Sequence, residues 1–205
     1  MNNYDGKFIV IEGPDGSGTT TQRDLICEWM EDEGYDVVST HEPVKEEGRI
    51  GKIIDEKLIR DEHDYSPQAI GLAFAADRKI HVEDRIIPAL EEGKHVISDR
   101  YYHSSLTYQP AHGVDEEWVK EINKYAINPD LTVILDVPVE ESMRRLKERD
   151  GESSVIFETT EFQEKLRQRY RDLEKELNEN VCVIDGDRSI EEVNEEIKDL
   201  VREVI

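Results

Sequence analysis

The chain has 205 residues, of which 49 are Asp or Glu and 26 are Lys or Arg, so its formal net charge is −23. A protein this acidic lacks the basic face that a general nucleic-acid or anionic-membrane binder needs, and neither partner is expected. Because 37% of the residues are still hydrophobic, we expect a folded chain rather than a disordered one. Its length suits one ordinary domain spanning residues 1–205.

The acidic residues are spread along the whole chain. Such a surface suits concentrated salt, where the Debye length falls to about 3 Å at 1 M and self-repulsion is screened; an ordinary solvated acidic surface is the alternative. The start, "MNNYDGK", lacks the features of a signal peptide, and no apolar run approaches the ~20 residues of a membrane span. We therefore expect a cytoplasmic protein. Cys27 and Cys182 lie far apart and indicate neither a disulfide framework nor a zinc site.

Short β-rich runs alternate with longer segments of helical period along the chain. The predicted strands are "KFIVIE", "YDVVS", "HVISD", "LTVILDV" and "VCVID". The predicted helices lie at about 19–33, 49–60, 66–92, 115–126, 139–149, 160–178 and 189–204. Ser66, Asp115 and Ser189 are suited to cap three of them, and Pro88 is expected to kink or split the third. The alternation predicts a parallel sheet covered by helices on both faces.

The stretch "GPDGSGTT", after the first predicted strand, is typical of a phosphate-binding loop. Its glycines let backbone N–H groups converge, and the next helix adds its positive end. Seven of the eight positions fit the pattern G-x-x-x-x-G-K-[ST]: Thr19 replaces the lysine, and Thr20 supplies a hydroxyl for Mg²⁺. On its own the loop also fits a plain glycine turn. The predicted phosphate-binding residues are Gly13, Pro14, Asp15, Gly16, Ser17, Gly18, Thr19, Thr20 and Thr21.

Two further segments carry side chains suited to a nucleotide. "SDRYYHSSLTYQ" places Asp99 and Arg100 at the carboxyl end of the third predicted strand, where open α/β sheets bind ligands. A carboxylate there can orient Mg²⁺ waters, and an arginine can span two phosphate groups. "FAADR" puts Phe74 and Arg78 on one helix face, where a ring can stack on a base and a guanidinium can read its carbonyl edge. Taken singly, core packing would explain Phe74, and solvation would explain Arg78.

Six segments occur in order across nearly the whole chain: "FIVIEGPDGSGTTTQ", "HEP", "LAFAADR", "SDRYYHSSLTYQ", "PDLTVILDVPVEESMRRL" and "VIDGDRSIEEV". With them the chain resembles the thymidylate kinase family of P-loop nucleoside monophosphate kinases. The resemblance implies a three-layer P-loop NTPase fold: a five-stranded parallel sheet with helices on both faces and a short lid, here about 149–161. It also implies transfer of the γ-phosphoryl group of ATP to dTMP with Mg²⁺ as cofactor, and a homodimer.

The resemblance assigns roles to individual residues as well. Phe74 would stack on thymine, Arg78 would donate to a thymine carbonyl, and Asp15 would bond the sugar 3′-hydroxyl. Arg100 would bridge the dTMP phosphate and the transferring phosphoryl group, and Asp99 would serve the metal. The implied dTMP-binding residues are Asp15, His41, Lys45, Phe74, Arg78, Arg100, Ser104, Tyr108 and Gln109, and the implied metal-binding residues are Thr20 and Asp99.

Several cations common in the family are replaced here. His41 stands where family members often carry arginine, Lys45 is the basic residue available in the following loop, and Ile156 stands where the lid arginine is expected. With Thr19 a further positive charge is missing, although phosphoryl transfer depends on neutralising charge.

Arg145 and Arg149, spaced i,i+4 on the helix that leads into the lid, are the predicted replacements for these cations. A solvated helix end that complements its own dipole is the competing explanation, and for Arg144 it is the preferred one. The predicted catalytic residues are Asp15, Arg100, Arg145 and Arg149.

Two alternatives to a dTMP kinase remain at this point. One is a related nucleotide or deoxynucleoside kinase. The other is a non-catalytic nucleotide-binding protein that kept the pocket and lost the lysine.

Overall fold

The computed structural model describes residues 4–45, 49–55, 65–150 and 159–205. At its centre lies a five-stranded sheet with the order β2-β3-β1-β4-β5. All four neighbouring pairs are parallel, which confirms the predicted sheet. The strands are β1 (Phe8–Glu12), β2 (Val37–His41), β3 (His95–Asp99), β4 (Leu131–Asp136) and β5 (Val181–Asp185).

The second strand lies two residues later than the sequence predicted. Thr40 and His41 belong to β2 because they pair with Ser98 and Asp99 of β3. The predicted start at Tyr35 is instead taken up by the end of the preceding helix, where the Tyr35 N–H donates to the Met30 carbonyl at 3.0 Å.

Helices surround the sheet. They are α1 (Thr19–Asp32), α2 (Ile50–Ile53), α3 (Pro67–His81), α4 (Ile87–Glu91), α5 (Tyr102–Ala111), α6 (Glu116–Asn123), α7 (Val139–Asp150), α8 (Thr160–Glu176) and α9 (Ile190–Arg202). The three predicted caps are confirmed, since Ser66, Asp115 and Ser189 each accept a hydrogen bond from a first-turn N–H. Within the described residues, no helix is both long and apolar enough to cross a membrane.

Helix α5 was absent from the predicted elements. Its sequence, "YHSSLTYQPA", has no clear apolar stripe, because buried side chains point to several sides of the helix. It is held by burial between α3, α6 and α8 rather than by an amphipathic pattern. This correction matters for function, because α5 carries three of the predicted dTMP-binding residues.

The long third helix predicted at 66–92 is interrupted just before Pro88. Residues Val82–Ile86 form a wider, π-helical stretch in which the Ile87 N–H donates to the Val82 carbonyl. A proline lacks the N–H that a regular helix needs at this point, so a local change of hydrogen bonding is the expected response. The predicted split therefore takes the form of a π-helical stretch between α3 and α4.

Alternate side chains of the strands enter two separate cores. Phe8 and Val10 pack with residues of α4, α5 and α8 on one face. Ile9 and Ile11 pack with residues of α1 and α9 on the other. Burial on both faces explains why β1, β3 and β4 read as nearly continuous apolar runs. The two cores also confirm the three layers. Parallel pairing aligns the carboxyl ends of β1, β3 and β4 at one edge.

Candidate active site

The phosphate loop begins where β1 ends. Gly16 has a φ of +82°, which favours glycine. A Cβ there would lie 2.5 Å from the Ser142 carbonyl oxygen and 2.9 Å from Leu146 Cγ, so α7 packs directly on the loop. Gly18, with φ +100°, stands at the cap position of α1 and has no side chain to cover the first-turn N–H groups. These N–H groups and the helix dipole make the loop suited to an anion.

Thr20 and Asp99 meet beside this loop. The Thr20 hydroxyl donates to Asp99 Oδ2 at 2.5 Å, and Arg23 Nη1 lies 3.9 Å from the same oxygen. Asp99 Oδ1 is buried and has no hydrogen-bond partner within the described parts of the chain. Hydroxyl and carboxylate oxygens are ligands that Mg²⁺ accepts, directly or through water. The predicted metal-binding pair is thus brought together, with one carboxylate oxygen still to be satisfied.

Arg100 is held in an uncommon backbone conformation. It has a φ of +69°, the only positive value at a non-glycine residue among those described. Its N–H donates to the Ile11 carbonyl at 2.9 Å. Its side chain donates to Asp15 at 2.6 Å and to Ser104 at 3.2 Å, and its guanidinium lies 5.6 Å from the centre of the Tyr108 ring. A strained residue of this kind is typical of a functional site.

Glu12 bonds several groups around the start of α5, and it was not among the predicted site residues. Its buried carboxylate accepts hydrogen bonds from the Tyr101 N–H at 2.7 Å, the Ser104 hydroxyl at 2.8 Å and the Tyr170 hydroxyl at 3.1 Å. It also accepts from the Ser104 N–H at 3.1 Å, which places its charge at the positive end of α5. Glu12 therefore fixes the start of α5 against the end of β1.

Arg78 lies deeper than its predicted role suggested, with 2% of its surface exposed. Its Nε donates to Glu42 Oε2 at 2.7 Å, and its Nη2 donates to the Tyr101 carbonyl at 3.2 Å. Its Nη1 donates to the Ser105 hydroxyl at 3.1 Å and to Asn123 Oδ1. The guanidinium thereby links α3 to the residue after β2, to α5 and to α6.

Two more buried side chains of α3 anchor the segment after β2. His81 contacts Glu42 Oε1 at 3.1 Å and the Thr40 hydroxyl at 2.7 Å. Asp77 accepts from the N–H groups of Val44 and Gly51, both at 2.8 Å, while burial raises its pKa. The sequence showed "HEP" and "AADR" as separate motifs, whereas the structure joins them into one network.

The remaining predicted dTMP-binding residues lie around this network. Phe74 is half-buried on α3, and Gln109 is buried on α5. His41 ends β2 opposite Asp99. Lys45 pairs with Asp55 at 3.0 Å, so a phosphate would have to compete for it.

The cations of α7 differ in their surroundings. Arg145 donates to the Ser17 carbonyl of the phosphate loop at 3.4 Å and to the Gly186 carbonyl after β5 at 3.3 Å. Arg144 is exposed and bonds Glu141 and Glu148. Hydrogen bonds from Arg144 and Arg145 lower the pKa of Glu141 to about 2. Arg149 follows Arg145 by one turn, but the predicted lid, 149–161, falls largely outside the described residues.

Comparison with known proteins gives a consistent result. A family model described as thymidylate kinase matches residues 11–197. A protein of Pyrococcus abyssi named "Probable thymidylate kinase" is 45% identical over 201 residues, which cover 96% of each chain. One of Pyrococcus horikoshii with the same name is 46% identical over 199 residues, again 96% of each chain. A "Thymidylate kinase" of Exiguobacterium sp. is 36% identical over 200 residues, covering 95% of this chain and 93% of its own.

Proposed function

The chain belongs to the thymidylate kinase family, and we propose that it moves the γ-phosphoryl group of ATP to dTMP, giving dTDP, at the site described above. One observation carries this assignment. The phosphate loop, the Thr20–Asp99 pair and the Asp15–Arg100 pair converge at the carboxyl edge of the sheet. An anion cradle, a metal-binding pair and a bridging arginine are the parts that phosphoryl transfer needs.

The ATP half of the site is the phosphate loop and the start of α1. Backbone N–H groups of the segment Gly13–Thr21, in which Pro14 has no N–H and the Ser17 N–H bonds the Pro14 carbonyl, hold the β- and γ-phosphates, as convergent N–H groups at a helix terminus do elsewhere. Thr20 and Asp99 would hold Mg²⁺, and the buried Asp99 Oδ1, which has no partner in the described chain, supports this. When bound, the ion neutralises charge on the phosphate oxygens.

The dTMP half lies between α3, α5 and the end of β2. Phe74 stacks on the base, Arg78 donates to a base carbonyl, and Asp15 accepts from the 3′-hydroxyl. Ser104, Tyr108 and Gln109 line the nucleoside pocket from α5, and the Tyr108 ring crowds a 2′-hydroxyl, which favours the deoxy sugar. His41 and Lys45 lie towards the dTMP phosphate.

In the transfer step, an oxygen of the dTMP phosphate attacks the γ-phosphorus while the bond to the β-phosphate oxygen breaks and ADP leaves. The attacking oxygen is already ionised at neutral pH, so no general base is required, and catalysis rests on position and charge. Arg100 bridges the two substrates. Arg145, already on the Ser17 carbonyl, and Arg149, one turn further, supply the charge that Thr19 does not.

The assembly and the surface complete the proposal. A second copy of the chain covers the apolar side chains that α3 and the residue before its cap expose, namely Tyr65 and Leu72, giving a homodimer. The net charge of −23 suits work in concentrated salt, where repulsion between carboxylates is screened.

A coupled assay of ADP formation with a panel of nucleoside monophosphates tests the activity. We expect turnover with dTMP, and much less with dUMP or dAMP, and loss of turnover when EDTA removes Mg²⁺. Thermal shift on the same panel separates binding from chemistry, because a ligand that binds the folded state raises its stability by an amount that grows with the logarithm of its affinity. Binding of dTMP and ATP without turnover would favour a non-catalytic nucleotide-binding protein instead.

Manganese binding tests the metal site without relying on activity. Electron paramagnetic resonance measures free Mn²⁺ in the presence of ATP. We expect Asp99→Asn to weaken Mn²⁺ binding relative to wild type, and Asp24→Asn, which changes an exposed carboxylate beside Arg23, to leave it unchanged. Equal binding by wild type and Asp99→Asn would remove Asp99 from the metal site.

A further inference from the structure

The Arg78 guanidinium has an almost complete set of protein partners. Of its five N–H donors, Nε–H bonds Glu42, both Nη1 hydrogens bond Ser105 and Asn123, and one Nη2 hydrogen bonds the Tyr101 carbonyl. The described residues give the second Nη2 hydrogen no hydrogen bond. Arg78 therefore has one N–H left for a ligand. The four bonds made by the other N–H groups fix the orientation of the guanidinium and so the direction of this last N–H.

Asn123 is the partner whose own orientation is fixed. It ends α6 with 8% of its surface exposed. Its Nδ2 donates to the Val119 carbonyl at 2.8 Å, which leaves Oδ1 to face the Arg78 Nη1. Reversing the amide would set two donors against each other and leave the Val119 carbonyl facing an oxygen, at the cost of buried unpaired groups. The side chain is thus a rigid acceptor aimed at the guanidinium.

We propose that Asn123 is a specificity-determining positioning residue, which holds Arg78 so that its one remaining N–H meets a carbonyl oxygen on the pyrimidine. This inference rests on the proposed function. The donor favours a 4-oxo pyrimidine such as thymine and rejects a 4-amino pyrimidine such as cytosine, because an amino group there would set donor against donor. Without Asn123, two Nη hydrogens lack partners and the guanidinium can turn, which relaxes the discrimination.

A purely structural role for Asn123 makes a different prediction. In that case its loss would lower stability and affect all substrates alike. The chain offers a matched control in Asn194, a buried asparagine on α9 with 5% exposure, whose Nδ2 donates to Gln22 Oε1 at 3.0 Å. Asn194→Leu also removes a buried amide of the same size, but it lies on the α1–α9 face, away from Arg78.

The experiment compares kcat/KM for dTMP and dCMP, and KM for ATP, in wild type, Asn123→Leu, Asn123→Asp and Asn194→Leu, with the melting temperature of each. We expect Asn123→Leu to reduce the dTMP/dCMP ratio by at least about tenfold while KM for ATP stays within twofold. Asn123→Asp should retain most of the dTMP/dCMP ratio, because the aspartate still offers Arg78 a hydrogen-bond acceptor. Asn194→Leu lowers the melting temperature without changing the ratio. If Asn123→Leu does not fold, Asn123→Ala takes its place.

The outcomes separate this inference from the proposed function. A wild type with no turnover of dTMP, or with no preference over dCMP, overturns the proposed function. A selective wild type whose ratio survives in Asn123→Leu, or falls equally in Asn194→Leu, overturns the positioning role alone.

Discussion

Arg100 and Asp15 form an ion pair across the mouth of the phosphate loop, with Arg100 Nη2 2.6 Å from Asp15 Oδ1. The arginine side chain is 20% exposed and the aspartate side chain 58%. The pair therefore presents a donor and an acceptor side by side to a ligand entering from solvent. In the proposed complex, a phosphate can accept hydrogen bonds from the arginine, and a hydroxyl can donate one to the aspartate.

Asp15→Asn tests the acceptor half of this pair. We expect kcat/KM for dTMP to fall about ten- to hundredfold, because a hydrogen bond to a charged group contributes about 1.5–3 kcal/mol. For the monophosphate of 3′-deoxythymidine, which lacks the 3′-hydroxyl, kcat/KM should fall much less in Asp15→Asn. Steady-state kinetics with both substrates measures the difference, and an equal loss with the two would show that Asp15 acts only through Arg100.

Phe74→Ala tests the base-stacking ring. We expect binding of dTMP to weaken by about 1–3 kcal/mol, as for base–aromatic stacking elsewhere, while binding of ATP is unchanged. Gln68→Ala is the control, since Gln68 lies on the same helix and its side chain is exposed. Isothermal titration with dTMP gives the affinities; unchanged dTMP affinity in Phe74→Ala would leave Phe74 as a core residue.

How much the sequence could predict depends on whether the signal is local. The strands β1, β3 and β4 were predictable because burial on both faces makes their runs apolar. The position of Asp99 and Arg100 at the carboxyl end of β3 was predictable from the strand pattern, while their roles there stay predictions. Helix α5 was missed because its side chains are buried on several sides and leave no period to detect.

The buried network was beyond sequence reasoning for a different reason. Glu12 sits in an apolar run, and its partners Tyr101 and Tyr170 are 89 and 158 residues away. Asn123 is one polar residue at the end of a charged helix. Nothing local indicates which distant group such a side chain meets, so only the tertiary structure shows the hydrogen-bond partners of Glu12 and Asn123.

Salt is expected to stabilise the protein. With 49 carboxylates against 26 basic side chains, repulsion falls as ions screen the surface. We expect the melting temperature and the turnover rate to rise with KCl towards the molar range. Differential scanning calorimetry checks this in KCl from dilute buffer to about 2 M, a range over which the Debye length falls from about 30 Å to below about 3 Å. A melting temperature that is already high in dilute buffer and does not change with KCl would contradict the proposed adaptation to salt.

Acid is expected to weaken the partly buried contact of Glu179 with the first residues of α5. Burial alone would raise the pKa of Glu179, but hydrogen bonds from His103 and Tyr102 hold the pKa below its ordinary value of 4.5. A carboxyl group with a lowered pKa stabilises the fold above its unfolded pKa and loses that contribution as the pH falls through its folded pKa. Glu179→Gln should therefore cost about 1–3 kcal/mol at pH 7, and the cost should shrink below pH 4.5.

Urea unfolding of wild type and Glu179→Gln at a series of pH values measures this dependence. Glu91→Gln, at an exposed position, controls for the loss of one negative charge. A difference between wild type and Glu179→Gln that is the same at every pH would contradict the linkage.

The central claim is that this chain is an active kinase although Thr19 stands in place of the loop lysine. In the proposed mechanism, backbone N–H groups and Mg²⁺ would hold ATP without a lysine, and a further cation near α7 would stabilise the transition state. Arg149 is the residue proposed to supply it. Arg144 is the matched control, because it is exposed and bonds Glu141 and Glu148 on its own helix.

The most direct test is kcat with saturating ATP and dTMP for wild type, Arg149→Ala, Arg144→Ala and Thr19→Lys. We predict an active wild type, a fall of about 10²–10³ in Arg149→Ala with little change in KM, and near-wild-type rates in Arg144→Ala and Thr19→Lys. An unchanged rate in Arg149→Ala, or a wild type that is nearly inert until Thr19 becomes lysine, would contradict the account.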